Sequence, residues 1–136
     1  MGQQQILLLV LTIIVVGVAV VIGIDLFERM ARQRHIDLMV NHAVHVASEA
    51  ITWRTKGSPF LGGGGDYSNL GTNGIQQLLM ASVRVPGTFE ISKASGDDLE
   101  IEGVSNDFPE LGVRVVVKEL EIVDTIIAYD GSITVP

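Results

Sequence analysis

The sequence predicts an α+β fold in which one long N-terminal helix packs against a small antiparallel β-sheet. Residues 6–24 form an apolar run that contains one polar side chain, Thr12, and no charge. From there to Lys56, apolar side chains recur at intervals of three and four residues, which is the spacing of one helix face. After residue 73 the pattern changes to short runs rich in Val, Ile and Thr, separated by Gly and Asp, which is typical of strands and turns.

Length and composition restrict the domain organisation and the partners. We divide the 136-residue chain into a long helix over residues 1–56, a Gly-rich loop over 57–73, and a head of one short helix plus sheet over 74–136. About 80 residues after the helix are enough for one small domain. Residues 57–136 hold four Lys/Arg and twelve Asp/Glu, and this acidic balance argues against a nucleic-acid partner. The chain has no Cys, which excludes disulfides and thiolate zinc sites.

The apolar run has the length of a membrane span. As a helix, residues 6–24 extend about 28 Å, close to the hydrocarbon thickness of about 30 Å. Gly17 and Gly23 are its only glycines, and we expect close helix approach at both. The run is preceded by three amides, which either cap the first turn inside a polymer or lie at a membrane interface. These amides are Gln3, Gln4 and Gln5.

Charged side chains follow the apolar run directly. Asp25 with Arg29, and Glu28 with Arg32, lie four residues apart in the favourable acid-first order. We expect these pairs to form and to set the register between packed subunits. Because nothing basic precedes the run and three arginines follow it, the positive-inside rule predicts a cytoplasmic C-terminal side, which conflicts with export of the head.

The second part of the helix carries a narrow stripe of small apolar side chains and is expected to end near Gly57. The stripe predicts close packing against another helix or against a sheet. His42, His45 and Glu49 share one face, which is compatible with a metal site or, as we prefer, with an ordinary polar face. The stripe consists of Ile36, Val40, Ala43, Ala47, Ala50 and Ile51.

The remaining elements are predicted from turn signals and periodicity. The segment FLGGGGDYSNLGTNG lacks the Lys-Ser/Thr of a phosphate-binding loop and is interpreted as a flexible surface loop. The elements expected after it are a helix over residues 75–83 with Thr72 or Asn73 as N-cap, strands over 87–94 and 99–104 around a loop at 95–98, a strand over 113–123 with a bend near Lys118 and Glu119, and a hairpin at Asp130-Gly131 between 125–129 and 132–135.

No catalytic constellation or cofactor motif is present in the sequence, so we expect neither an enzyme nor a bound cofactor. Four acidic side chains near the 95–98 loop offer the ligands that calcium prefers, but they lack the spacing of a calcium loop. A solvated hairpin edge is the preferred interpretation. These side chains are Asp97, Asp98, Glu100 and Glu102.

A short leader ending in Gly2, an apolar run continuing into an amphipathic helix, a Gly-rich loop and a small sheet together resemble a type IV pilin or pseudopilin. The specific part is MGQQQILLLVLTIIVVGVAVV. The resemblance implies leader cleavage after Gly2, residence in the inner membrane, and polymerisation by pilus assembly machinery into a cell-surface filament with residues 6–24 as its core. Adhesion and motility are the roles it implies.

Two other interpretations use the same apolar run. One is a single-pass membrane protein with a small β-sheet binding module, and the other is a pseudopilin of a secretion system. The chain also departs from pilins in several respects, among them the lack of their acidic residue shortly after the new N-terminus. We expect the amides of residues 3–5 to act as the neutral substitute for that carboxylate.

Overall fold

The structure is a computed structural model that describes residues 2–57, 64–70, 74–78, 83–84 and 87–133. It confirms the α+β fold, with one long helix and a small antiparallel sheet. The chain divides into two compact units, Met1–Arg34 and His35–Pro136, so the boundary falls inside the long helix. The elements are α1 (Gly2–Thr55), α2 (Gly74–Gln77), β1 (Val83–Arg84), β2 (Gly87–Ser95), β3 (Asp98–Ser105), β4 (Gly112–Lys118) and β5 (Glu121–Ala128).

In the first unit, the described residues are helical throughout. The helix contains no proline, and its many β-branched residues are compatible with helix in an apolar surround, where the backbone has no water to bond. The one polar side chain of the apolar run is satisfied locally, because the Thr12 hydroxyl donates to the Leu8 carbonyl at 2.8 Å. The backbone and side chains of this segment therefore need no water.

The sheet of the second unit is an antiparallel meander in which the five strands lie in sequence order. The predicted strands over residues 87–94 and 99–104 are confirmed as β2 and β3. Their connection is tighter than the predicted loop, since Ser95 pairs with Asp98 and only two residues form the turn. Gly96 lies there at φ +54°, a left-handed conformation that glycine adopts without strain.

The predicted single strand over residues 113–123 is wrong. The chain reverses at Glu119 and Leu120, so that β4 and β5 pair as a hairpin with Lys118 opposite Glu121. Glu119 has φ +55°, the one positive value among the non-glycine residues that the structure describes. The change of apolar phase that predicted a bend is a complete reversal, and a separate register shift follows between Val116 and Val117.

The predicted hairpin at Asp130-Gly131 is also wrong within the described residues. Ser132 lies outside any strand, and its N–H donates to the Asp130 carboxylate at 3.0 Å. Gly131 donates to the Glu110 carbonyl at 3.0 Å, so this turn docks on the β3–β4 connection instead of starting a strand. The rest of the predicted second strand, residues 134–135, lies outside the described residues.

The predicted helix over residues 75–83 is shorter in the structure. Helix α2 covers four residues, Gly74–Gln77, and Val83 belongs to strand β1. Both N-cap candidates, Thr72 and Asn73, lie outside the described residues.

The core lies between one face of α1 and the sheet. The small stripe of α1 is confirmed: Ala43, Ala47 and Ala50 are fully buried, and Val40 and Ile51 pack against the core from its margin. Small side chains allow the helix backbone to lie close to the strands. The sheet contributes Phe89, Ile91, Leu99, Ile101, Val113, Val115 and Val117, and α1 adds Met39 and Val46.

The Gly-rich connection is not a flexible surface loop where the structure describes it, over residues 64–70. Tyr67 and Leu70 belong to the core. The Tyr67 hydroxyl donates to the Glu119 carbonyl at 2.5 Å, and its N–H donates to the Gly96 carbonyl at 2.9 Å. Burial raises the pKa of Tyr67, which keeps its hydroxyl a donor. Through Tyr67, this part of the loop therefore contacts both the β2–β3 turn at Gly96 and the β4–β5 turn at Glu119.

Candidate membrane and assembly surfaces

The apolar run of α1 presents its side chains to the outside. The large side chains of residues 6–24 are between 48% exposed, at Val10, and 72% exposed, at Leu7. By length and composition α1 contains one segment apolar enough to cross a membrane. A continuous apolar surface of this size is rare on a soluble monomer, because water at such a surface costs free energy. The segment therefore requires lipid or protein around it.

The structure places the predicted assembly residues of this segment on an open surface. Gln3, Gln4 and Gln5 are exposed in the first turn. A Cβ added at Gly17 or Gly23 would meet no atom within 4 Å, so nothing in the chain itself accounts for glycine there. Close helix approach at these glycines and cleavage after the exposed Gly2 stay predictions.

One of the two predicted ion pairs of the charged segment is present. The Arg29 guanidinium lies 3.0 Å from the Asp25 carboxylate, with both side chains more than half exposed. An exposed pair of this kind contributes only a few tenths of a kcal/mol to helix stability. Glu28 and Arg32 are exposed as well, and their pairing stays a prediction.

The apolar surface continues past the predicted span, which the sequence analysis missed. Phe27 and Met30 are 76% and 68% exposed, although arginines flank them. Together with Gly23 and Leu26 they line a shallow groove of about 190 Å³. The available signal was the spacing of these four residues, which is that of one helix face from Gly23 onward.

The predicted histidine face is divided between the core and the surface. His42 is buried, and its ring meets Phe89 edge-on at 4.5 Å between centroids, whereas His45 and Glu49 are exposed. Among the described residues there is no group of three or more His, Cys, Asp or Glu side chains that could hold a metal ion. The geometry thus gives the metal interpretation no support.

Three of the four acidic side chains considered as calcium ligands form ion pairs with basic side chains. Arg54 forms an ion pair with Asp97, while its Nε donates to the Gly65 carbonyl at 2.9 Å. Its guanidinium carbon lies 4.9 Å from the centroid of the Tyr67 ring. Arg54 thus joins the end of α1 to the loop and the β2–β3 turn. The other two ion pairs are Lys93–Asp98 at 3.9 Å and Arg114–Glu102 at 2.6 Å.

A buried charge pair lies on the sheet face opposite α1. Glu102 is buried beside Arg114, and Glu90 lies directly across from Glu102 in the β2–β3 ladder. Burial, and then the negative charge of Glu102, raise the pKa of Glu90. This row therefore places two carboxylates and one guanidinium on the same face, and the guanidinium pairs with Glu102.

The second exposed apolar surface lies at the end of the sheet. Strand β5 pairs with β4 on one side and is the last strand in the sheet order. Its side chains and the two flanking turns carry large apolar groups that are 37% to 62% exposed. An unpaired apolar edge strand is a template for pairing with another chain. The exposed residues are Leu120, Ile122, Val123, Ile126 and Tyr129.

Comparisons with protein-family models, with curated proteins and with solved structures found no match to this chain. Two surfaces of the described residues therefore bear on function: the apolar part of α1 with its groove, and the edge of the sheet at β5. Both expose apolar groups to the outside.

Proposed function

We propose that the chain is a structural subunit of an extracellular type IV pilus-like filament. It is not an enzyme; it enters the inner membrane through residues 6–24, and the pilus assembly machinery then polymerises it through the same segment. The acidic head forms the outer surface. The observation that carries the proposal is the exposed apolar run, continuous with the part of α1 that contributes to the core of a folded head.

Burial of the apolar run accounts for the stability of such a polymer. Burying about 1,000 Å² of it among neighbouring copies yields on the order of 25 kcal/mol before entropic costs, at about 25 cal/mol per Å². Subunits need no covalent bond at that level of gain. Gly17 and Gly23 support the same arrangement, since their open surfaces let a neighbouring helix come close.

The membrane-anchored alternative is favoured by one specific observation. Arg29, Arg32 and Arg34 follow the span directly, which matches a cytoplasmic head on a single-pass protein. A head on that side would act as a small β-sheet binding module. A pseudopilin of a secretion system is the third arrangement, and it differs from the filament in copy number and in lacking a long surface polymer.

Microscopy of material sheared from cells separates these functions. Negative-stain images with mass-spectrometric identification are expected to show a thin filament composed of this chain. Recovery only as a monomer from detergent-extracted membranes would contradict the proposal and support the anchored module. Recovery at low copy number with a secretion complex would support the pseudopilin.

The amides at the start of α1 provide a second test. Replacing Gln3, Gln4 and Gln5 by Leu is expected to reduce filament yield, because the first-turn N–H groups and the neighbouring amino terminus lose their polar partners. The matched control replaces all three by Asn, which keeps the amides and is expected to assemble. Normal filaments from the Leu variant would show that the amides do not replace the pilin carboxylate.

A further inference from the structure

We propose that, in the polymer, the groove segment of one copy (residues 23–34) binds the β5 edge (residues 119–126) of another copy. This inference rests on the proposed filament function and names the surfaces through which a head contacts a neighbouring helix. Both are exposed and both combine apolar and charged side chains. The groove segment begins at the last two residues of the apolar run, and the β5 edge lies outside that run.

The β5 edge leaves apolar side chains uncovered on the isolated head. Six of the eight residues of β5, Glu121 to Ile126, are exposed, in contrast to β4, whose alternate side chains are buried. Ile122 and Ile126 point to opposite faces of the strand, so both faces of the edge are apolar. Val123 is 58% exposed beside the register shift. A second copy would cover side chains that the head itself leaves open.

The groove segment offers the matching apolar shape. Gly23 leaves an opening of about 190 Å³ between Leu26, Phe27 and Met30. The opening suits one branched aliphatic side chain of the kind that β5 exposes. The exposed Phe27 is the largest apolar side chain next to it, and an aromatic anchor of this kind contributes most of the binding energy in many interfaces.

Charge complementarity selects the second copy as the occupant. The groove segment contains Arg29, Arg32 and Arg34 within six residues, three of the nine basic residues of the chain. The β5 edge contains Glu119, Glu121 and Asp124 within six residues. The groove segment also holds Asp25, which pairs with Arg29, and Glu28, so its net charge is +1 against −3 for the β5 edge. Surfaces of opposite net charge attract each other, and like charges penalise incorrect pairing.

The alternative of two β5 edges pairing with each other fits this structure less well. It would bring two acidic strands together, and like charges opposite each other in a ladder are destabilising. It would also be a closed two-fold contact, whereas a helical polymer joins two different surfaces of each copy. The groove-to-edge contact is of the second kind and can repeat along a filament.

Cross-linking in assembled filaments tests the contact, because the chain has no Cys of its own. Filaments assembled from a mixture of Met30→Cys and Val123→Cys copies are expected to give a disulfide-linked dimer after mild oxidation. Each variant assembled alone is expected to give none. The control mixes Met30→Cys with Lys93→Cys, whose lysine is half exposed on β2, away from the edge, and is expected to give no dimer.

Charge reversal provides an independent readout on intact filaments. Glu121→Lys with Asp124→Lys is expected to lower filament yield about tenfold at low salt, and Arg29→Glu with Arg34→Glu to do the same. Combining all four changes is expected to restore the yield. Glu49→Lys reverses one exposed acidic residue of α1 outside both surfaces; it is the single-charge control and is expected to have little effect.

Each contrary result identifies what failed. Normal filaments with no Met30–Val123 cross-link and no effect of charge reversal would overturn the contact and leave the filament function intact. A dimer from Val123→Cys alone would show edge-to-edge pairing instead. Loss of binding to anionic lipid vesicles in the arginine variants alone would assign the arginines to lipid headgroups. Absence of wild-type filaments would overturn the proposed function and the contact together.

Discussion

Replacing one alanine of the helix stripe by a larger residue is expected to destabilise the packing of α1 against the sheet. Ala47 is fully buried in the core, and Ser48, the next residue, is exposed. Ala47→Leu inserts three carbon atoms where no space is left, and overpacking of this kind costs about 1–3 kcal/mol. For a domain of this size the free-energy loss lowers the melting temperature by about 10 °C.

The measurement uses the full chain in detergent micelles, which keep the apolar run covered. Trp53 packs against the core and is the only tryptophan, so its fluorescence reports unfolding of the head in urea. The matched control is Ser48→Leu, which adds a similar side chain to the same helix without entering the core and is expected to leave the urea midpoint nearly unchanged. Equal midpoints for the two variants would refute the close helix–sheet packing.

Three further predictions concern the head and use the same urea assay. Tyr67→Phe removes the hydrogen bond to the Glu119 carbonyl and is expected to cost about 1 kcal/mol; an unchanged midpoint would contradict that bond. Gly103→Ala places a Cβ against the Phe89 ring in the central strand, so we expect a loss of about 1–3 kcal/mol, and wild-type stability would show that the ring can move away. Burial raises the pKa of Glu90, so the folded chain holds the carboxyl proton more tightly than the unfolded chain does. The free energy of unfolding therefore falls as the pH rises from the ordinary glutamate pKa to the raised pKa. Glu90→Gln is expected to remove this pH dependence, and identical slopes in the two proteins would exclude Glu90 as its source.

The sequence was sufficient to predict the elements in which apolar side chains follow a single helical or strand period throughout. The stripe containing Ala43 and Ala47 predicted the buried face of α1, and strands β2 and β3 followed from alternation and a Gly-containing turn. The breadth of the buried face was missed, because it includes His35 and His42, whose rings pack edge-on against Phe108 and Phe89 from distant parts of the chain.

The β4–β5 turn could not be predicted from local signals. It has Glu119 in a left-handed conformation that glycine or asparagine ordinarily occupies, and the Tyr67 hydroxyl binds its carbonyl from the Gly-rich loop. The hydrogen bond from Tyr67 therefore stabilises a turn that the residues of the turn itself do not predict. The groove at Gly23 was missed for a different reason, since the arginines around Phe27 interrupt the apolar pattern in the sequence.

The order of strands in the sheet also determines how the head forms and comes apart. Because each strand pairs with the next one in the chain, the sheet can grow by successive local hairpins, which keeps the loop-closure entropy small. Strand β5 is the last in this order and supplies no side chain to the main core, so the layer between α1 and β2–β4 does not depend on its side chains. Its attachment to the head rests on the ladder with β4 and on the turns at its two ends, and local opening of this strand would leave the core layer in place.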